Sequence, residues 1–247
     1  MPRFKLTVEY DGTGLAGWQR QPDFPTVQGF LEQAVHKLCG APQQVICAGR
    51  TDAGVHAVGQ VAHIDAPATM KPYNIMQGIN YHLLPLTSQV IVVKAEAVAD
   101  DFHARFSATG RYYFYRIINR SARLALWQHR AWHIAEALDV KAMQEGANIL
   151  LGSHDFTTFR STQCQSKSPC KTLDMLEVQR VGEEIHIHTK SRSFLHHQVR
   201  NMVGALRMAG NGKWKTADIK AALAARDRAR GAETAPAGGL YFMEVMY

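Results

Sequence analysis

No apolar run in this 247-residue chain approaches the roughly 20 residues needed to span a bilayer. The N-terminus, Met1-Pro2-Arg3-Phe4-Lys5, enters an alternating strand pattern without an apolar signal core. Neither membrane insertion nor export is expected, and the chain reads as cytoplasmic. Cysteine is scarce and unpatterned. Cys39, Cys47, Cys164 and Cys170 contain no C-x-x-C pair and match no common zinc spacing. In a cytoplasmic protein they read as free thiols, which excludes a disulfide scaffold. H-E-x-x-H is missing too. The 12 histidines are scattered, with His186 and His188 alternating on a strand and His196 beside His197. Two ligands do not make a metal site, so no metal is expected. Low-complexity sequence goes no further than an Ala-rich segment near 221–237.

What is present is an ordinary globular composition, 46% hydrophobic and 20% charged, in a chain long enough to bury a real core. The net charge is +7, and its distribution is lopsided. Residues 1–104 hold 7 Lys and Arg against 9 Asp and Glu, whereas residues 105–247 hold 21 against 12. A basic excess confined to one half suits a polyanionic partner such as nucleic acid, although a merely basic solvated surface would look the same.

Hydrophobic periodicity gives the elements. Residues 4–10 alternate as a half-buried strand, and Asp11-Gly12-Thr13-Gly14 ends it in a turn. Thr26 caps a helix whose apolar face is Val27, Phe30, Leu31, Ala34, Val35 and Leu38, with Gly40 and Pro42 closing it. Short strands are expected near 44–48 and 60–65, a helix over 73–83 and a strand over 89–96. Further on, 111–119 is aromatic-rich and β-like. Helices fit 137–151, 194–210 (with Ser193 as cap) and 216–226. Strands fit 171–180, 184–190 and 241–247, and residues 160–171 read as an exposed polar loop. The expected fold is α+β. It has two related halves, 1–104 and 105–247, each an antiparallel sheet with helices.

Gly12-Thr13-Gly14-Leu15-Ala16-Gly17 matches G-x-G-x-x-G after a strand. In a dinucleotide site, however, the third glycine opens a helix that receives the pyrophosphate. Here Trp18-Gln19-Arg20-Gln21-Pro22 follows, and the helix waits until Thr26. The nearest acid at ribose-binding spacing, Glu32, falls inside the helix pattern. A glycine-rich turn fits better, and no nucleotide cofactor is expected. Gly210-Asn211-Gly212-Lys213 lacks the Walker spacing as well.

The densest cluster is Gly49-Arg50-Thr51-Asp52-Ala53-Gly54-Val55-His56-Ala57. Glycines flank a short charged stretch between two strands, a loop able to hold a carboxylate rigidly yet accessibly. Taken alone, such an Asp more often bonds its own turn. The cluster has company, though. Tyr10-Asp11-Gly12-Thr13, Gly17-Trp18-Gln19-Arg20-Gln21, Thr26-Val27-Gln28-Gly29 and Phe102-His103-Ala104-Arg105-Phe106-Ser107-Ala108 accompany it. So do Tyr113-x-Tyr115, His154-Asp155-Phe156-Thr157-x-Phe159-Arg160, Phe194-Leu195-x-His197 through Gly204, and Ala235-Pro236-x-x-Gly239-Leu240-Tyr241. Together, and in this order, they resemble the TruA-type tRNA pseudouridine synthases almost end to end. Two departures stand out: Leu15, where that family usually has an aromatic, and Ala237, where it has a second proline.

The resemblance implies an enzyme that turns uridine into pseudouridine at positions 38, 39 and 40 of the tRNA anticodon stem-loop, without a cofactor. It also implies a ferredoxin-like or RRM-like pair of halves whose sheets join into one extended sheet around a basic central cleft, and a homodimer with tRNA as partner. Asp52 becomes the essential carboxylate. Tyr113 becomes the aromatic that stacks on the target base, with an ordinary strand aromatic as the alternative. Arg200, on the 194–210 helix, becomes the partner of Asp52, where periodicity alone would leave a solvent arginine beside Gly204. Arg50 is implied to help displace the target nucleotide; a phosphate contact or a loop hydrogen bond would explain it equally. A non-catalytic RNA-binding protein would keep the cleft but could lose the carboxylate.

Overall fold

The computed structural model describes residues 1–247. It has ten strands and five α-helices, with strand pairings mostly antiparallel, and is an α+β protein. Two compact units account for it: Met1–Thr109 with Tyr241–Tyr247, and Gly110–Leu240. No helix is long and apolar enough to cross a membrane.

The first unit is built on β1 (Arg3–Tyr10), which buries Phe4, Leu6, Val8 and Tyr10 by strict alternation. After it come α1 (Val27–Cys39), β2 (Ile46–Cys47), β3 (His56–Asp65), α2 (Pro72–Leu83) and β4 (Val90–Val98). Strand β1 lies between β3 and β4, antiparallel to both, and β2 pairs antiparallel with β3. Helix α1 starts where the sequence places it. The Thr26 hydroxyl accepts the Gly29 N–H, a cap worth about 1 kcal/mol, and Gly40 closes the helix at φ 72°. The two helices pack together, with Gly78 of α2 against the Leu38 side chain of α1, and Leu31, Val35, Ile75 and Ile79 are fully buried. Burying each such side chain stabilises the unit by roughly 2 kcal/mol. Arg3 ties β1 to β3 through a two-point ion pair with Asp65, at 2.8 and 3.0 Å.

The second unit contains β5 (Gly110–Asn119), β6 (Trp132–Ile134), α3 (Val140–Leu150), β7 (Gly152–Asp155), β8 (Cys170–Val181), β9 (Glu184–Ser191), α4 (Gln198–Gly210) and α5 (Thr216–Ala225). Strands β5, β9, β8 and β7 form consecutive antiparallel neighbours, and β6 runs parallel to β5. Helix α3, capped by the Asp139 carboxylate, packs on β8 and against α4 and α5. The chain then forms β10 (Leu240–Met246), which returns to the first unit and runs parallel to β3, with Tyr241 opposite His56 and Phe242 opposite Ala57.

Three sequence expectations are corrected. The helix expected from 194 starts at Gln198. His197 sits at φ 63°, a left-handed geometry that cannot continue a helix, and the Gln198 side chain turns back to accept the Leu195 N–H. Ser193 therefore caps nothing; its N–H goes to the Ser191 hydroxyl. Second, α4 has no broad solvent face, because Asn201, Gly204 and Ala205 are buried along with the expected apolar stripe. Third, β6 and β7 were not anticipated. One is three residues long and the other reads Gly-Ser-His-Asp; both pair through backbone that leaves no periodic trace.

Candidate active site

The Gly49–Val55 loop is fastened at both ends and in the middle. At its entrance the Ala48 N–H donates to the Val61 carbonyl (2.8 Å), and the fully buried Gln60 amide donates to the Gly49 carbonyl (2.7 Å). At its exit the Val55 N–H returns to the Asp52 carbonyl (3.2 Å), closing a turn around Asp52. Between these points the Thr51 hydroxyl is hydrogen-bonded to the buried Tyr10 hydroxyl (2.8 Å). Burial pushes that phenol well above its ordinary pKa, so it stays a neutral hydrogen-bonding partner.

The glycine-rich turn that mimics a dinucleotide motif supports this loop. The Trp18 N–H donates to the Thr51 carbonyl (3.1 Å), and the Gly54 N–H donates to the Leu15 carbonyl (3.3 Å). Gly17 lies at φ 89°, and a β-carbon there would stand 2.6 Å from the Thr51 oxygen and 2.9 Å from the Asp52 carbonyl carbon. Only glycine lets the two backbones approach so closely. No helix begins at this turn; α1 starts only at Val27. Trp18, almost fully buried beside Tyr10, packs the turn down.

Asp52 and Arg50 are thus brought together in one braced loop of the first unit, Asp52 half-buried and Arg50 exposed. Burial around the Cys47 sulfur, just before the loop, pushes its thiol up to about 12 against the opposing charges of Arg50 and Arg105. At neutral pH that thiol is protonated and a poor nucleophile.

Tyr113 and Arg200 belong to the second unit. Tyr113 sits on β5 opposite Thr189, with its ring edge-on to Phe194 at 5.2 Å. Tyr115, two residues on, is fully buried and donates its hydroxyl to the Pro236 carbonyl (2.7 Å). The ordinary core reading therefore holds for Tyr115. The opposite face carries Tyr112 and Phe114, both against His188. Arg200 is not a free solvent arginine. Its Nε donates to the Ala235 carbonyl (2.8 Å), and the Ala235 N–H donates back to the Arg200 carbonyl (3.2 Å). Gly204, one turn on, leaves room for the Glu233 carbonyl to lie against α4. Its smallness thus accommodates the backbone of residues 232–235.

Residues 6–107 and 147–247 match the family described as tRNA pseudouridine synthase. This chain belongs to that family. A tRNA pseudouridine synthase A from Paramagnetospirillum magneticum is 60% identical over all 247 residues, which cover 96% of its length. Namesakes from Xanthobacter autotrophicus (54%) and Mesorhizobium japonicum (52%) align over the full length of both chains.

For a tRNA pseudouridine synthase the two matched segments are informative. Arg50 and Asp52 fall in the first and Arg200 in the second, while Tyr113 lies between them. Of the residues that brace the loop, Tyr10 and Gly17 stand in stretches that carry the resemblance but were given no supporting role, and Gln60 was not singled out. Gly17 carried a signal, since it closes a glycine motif that no helix follows. Tyr10 and Gln60 read as ordinary strand positions, and only the fold brings them to the loop.

Proposed function

We propose that this tRNA pseudouridine synthase isomerises uridine at positions 38, 39 and 40 of the anticodon stem-loop, with Asp52 as its catalytic carboxylate. The observation that carries the assignment is the bracing of a partly exposed aspartate from both sides, by Gln60 below and by the Gly17 turn above. Such a loop holds an oxygen nucleophile in place at no cost at the moment of reaction.

The chemistry needs little else. The bond from N1 to C1′ breaks, the uracil turns, C5 bonds to C1′, and the C5 proton leaves while N1 gains one. Atoms and electrons balance within the nucleotide, so no redox cofactor is required. The carboxylate can attack sugar or base to form an adduct, or remove a sugar proton to give a glycal. Both routes require Asp52 to be ionised.

In this reading Tyr113 stacks on the displaced uracil, and Arg200 keeps Asp52 ionised and oriented. Arg50 assists removal of the nucleotide from the stem, a step costing a few kcal/mol. The halves 1–104 and 105–247 are related and join their sheets around a basic cleft that reads tRNA by shape and phosphates. The enzyme acts in the cytoplasm as a homodimer, with neither metal nor nucleotide cofactor.

A pseudouridine map of bulk tRNA, wild type beside Asp52→Ala, tests the proposal. Conversion at positions 38–40 is expected from wild type alone, with tRNA binding kept by the variant. Substantial product from Asp52→Ala would remove Asp52 from the mechanism. Bound but unconverted tRNA with both proteins would leave only an RNA-binding role.

A further inference from the structure

Phe106 is 72% exposed, although the alanines around it, Ala104 and Ala108, are buried. A single exposed aromatic is unremarkable on any surface. This one is held in place. Its ring lies against that of His103, centroids 4.4 Å apart at 32°, and the Arg105 guanidinium sits 5.5 Å from its centroid. His103 Nδ1 accepts the N–H groups of both Arg105 (3.1 Å) and Phe106 (3.2 Å). The loop closes on itself, with the His103 N–H on the Ser107 hydroxyl and the Ser107 N–H on the His103 carbonyl, both at 2.9 Å.

The base of the loop is equally fixed. The Ala104 N–H donates to His63 Nδ1 (3.1 Å), and its carbonyl accepts the Tyr247 hydroxyl (2.9 Å). Burial pulls the His63 pKa down to about 4, so that nitrogen remains an acceptor at neutral pH. An aromatic side chain is thus displayed to solvent with its ordering entropy largely spent in folding. That is the form a preorganised stacking surface takes.

Its surroundings indicate what would stack there. The neighbours in the loop are His103, Arg105 and Ser107, polar or cationic, rather than the apolar ring that a protein interface collects. A cation beside a bare ring suits a base together with its phosphodiester. Arg105 and Arg50 both lie close enough to the Cys47 sulfur for their charges to act on it.

We propose that Phe106, seated on His103 and flanked by Arg105, is a stacking platform for an unpaired base of the substrate RNA. This deepens the functional reading above and rests on it for the identity of that RNA.

The test compares wild type, Phe106→Ala and Phe106→Trp on two RNAs: an anticodon stem-loop, and a paired hairpin of equal charge closed by a minimal loop. Dissociation constants are measured at several salt concentrations, with thermal melts to confirm equal folding. For the stem-loop, Phe106→Ala is expected to weaken binding about 5- to 100-fold, while Phe106→Trp preserves it. The paired hairpin should not distinguish the three proteins, and the salt slope should not change, because no phosphate contact is lost. Unchanged stem-loop binding by Phe106→Ala, or equal losses on both RNAs, overturns the platform. So does loss of self-association in sedimentation with RNA affinity intact, which would make the ring a contact between copies of the chain. If wild type forms no pseudouridine yet binds the stem-loop in a Phe106-dependent way, the catalytic reading falls and the platform stands.

Discussion

The substitution Gly17→Ala would carry a methyl group to within 2.6 Å of the Thr51 carbonyl oxygen, at a backbone angle that L-residues avoid. Something must move, and the neighbour on that side is the Asp52 loop. The expected loss of stability is about 1–3 kcal/mol. The larger effect is expected in the reaction: a displaced carboxylate should slow single-turnover conversion about 10- to 100-fold. Affinity for tRNA should stay near wild type. A variant that melts earlier but reacts at full rate would show that the loop keeps its shape without this support. At this scale the site was half legible. Asp52 stood out because glycines and charges crowd around it, and Gly17 stood out for a function it does not serve. Gln60 carries no mark in the sequence and Tyr10 none that points to support of the loop, since a strand tyrosine and a strand glutamine become supports only when β1 and β3 meet.

Two helices are stitched to neighbouring strands by a side-chain amide. On α2, Asn80 donates to the Val92 carbonyl and accepts the Val92 N–H, both at 2.8 Å. On α3, Gln144 accepts the Val178 N–H at 2.7 Å and donates to the Leu176 carbonyl at 3.2 Å. Each amide does for the strand what another strand would do. Val92 lies just past an irregularity in the pairing of β4 with β1, where regular bonding lapses. Asn80→Ala is expected to cost about 1–3 kcal/mol in urea unfolding, because two backbone groups lose their partner at once. Asn80→Asp, which keeps only an acceptor, should fall between. A cost below about 0.5 kcal/mol would mean that water replaces the amide. Elements with strong periodicity, α1 and β1 above all, were legible from their residues. The start of α4 was not, because it depends on the backbone angle of one histidine. Neither were β6 and β7, whose residues have no reason to be strands except the neighbours they find.

Over the whole chain, the division read from the order of strands and helices falls near residue 105; the first compact unit extends to Thr109 and takes back Tyr241–Tyr247. No local pattern reveals that return, because β10 looks like any alternating strand. It contributes more than pairing. Gly59 in β3 lies against the Met243 backbone, His56 stacks on Tyr241 at 4.8 Å, and Phe242 is fully buried. A fragment ending at Thr109 is therefore expected to lack cooperative unfolding, and adding a peptide of residues 240–247 should restore a sigmoidal melt. A fragment that melts cooperatively alone would show that β10 is dispensable to its unit.

The same strand sets a timetable for biosynthesis. The ribosome releases β1, α1 and the Asp52 loop early, but the strand that completes their sheet emerges only after the entire second unit has been made. Through that interval the His56–Ala57 end of β3, beyond the stretch that β2 covers, waits without its β10 partner, exposed to whatever holdase or stray strand it meets. The loop that carries Asp52 is among the first parts synthesised, and its supporting sheet is among the last parts finished.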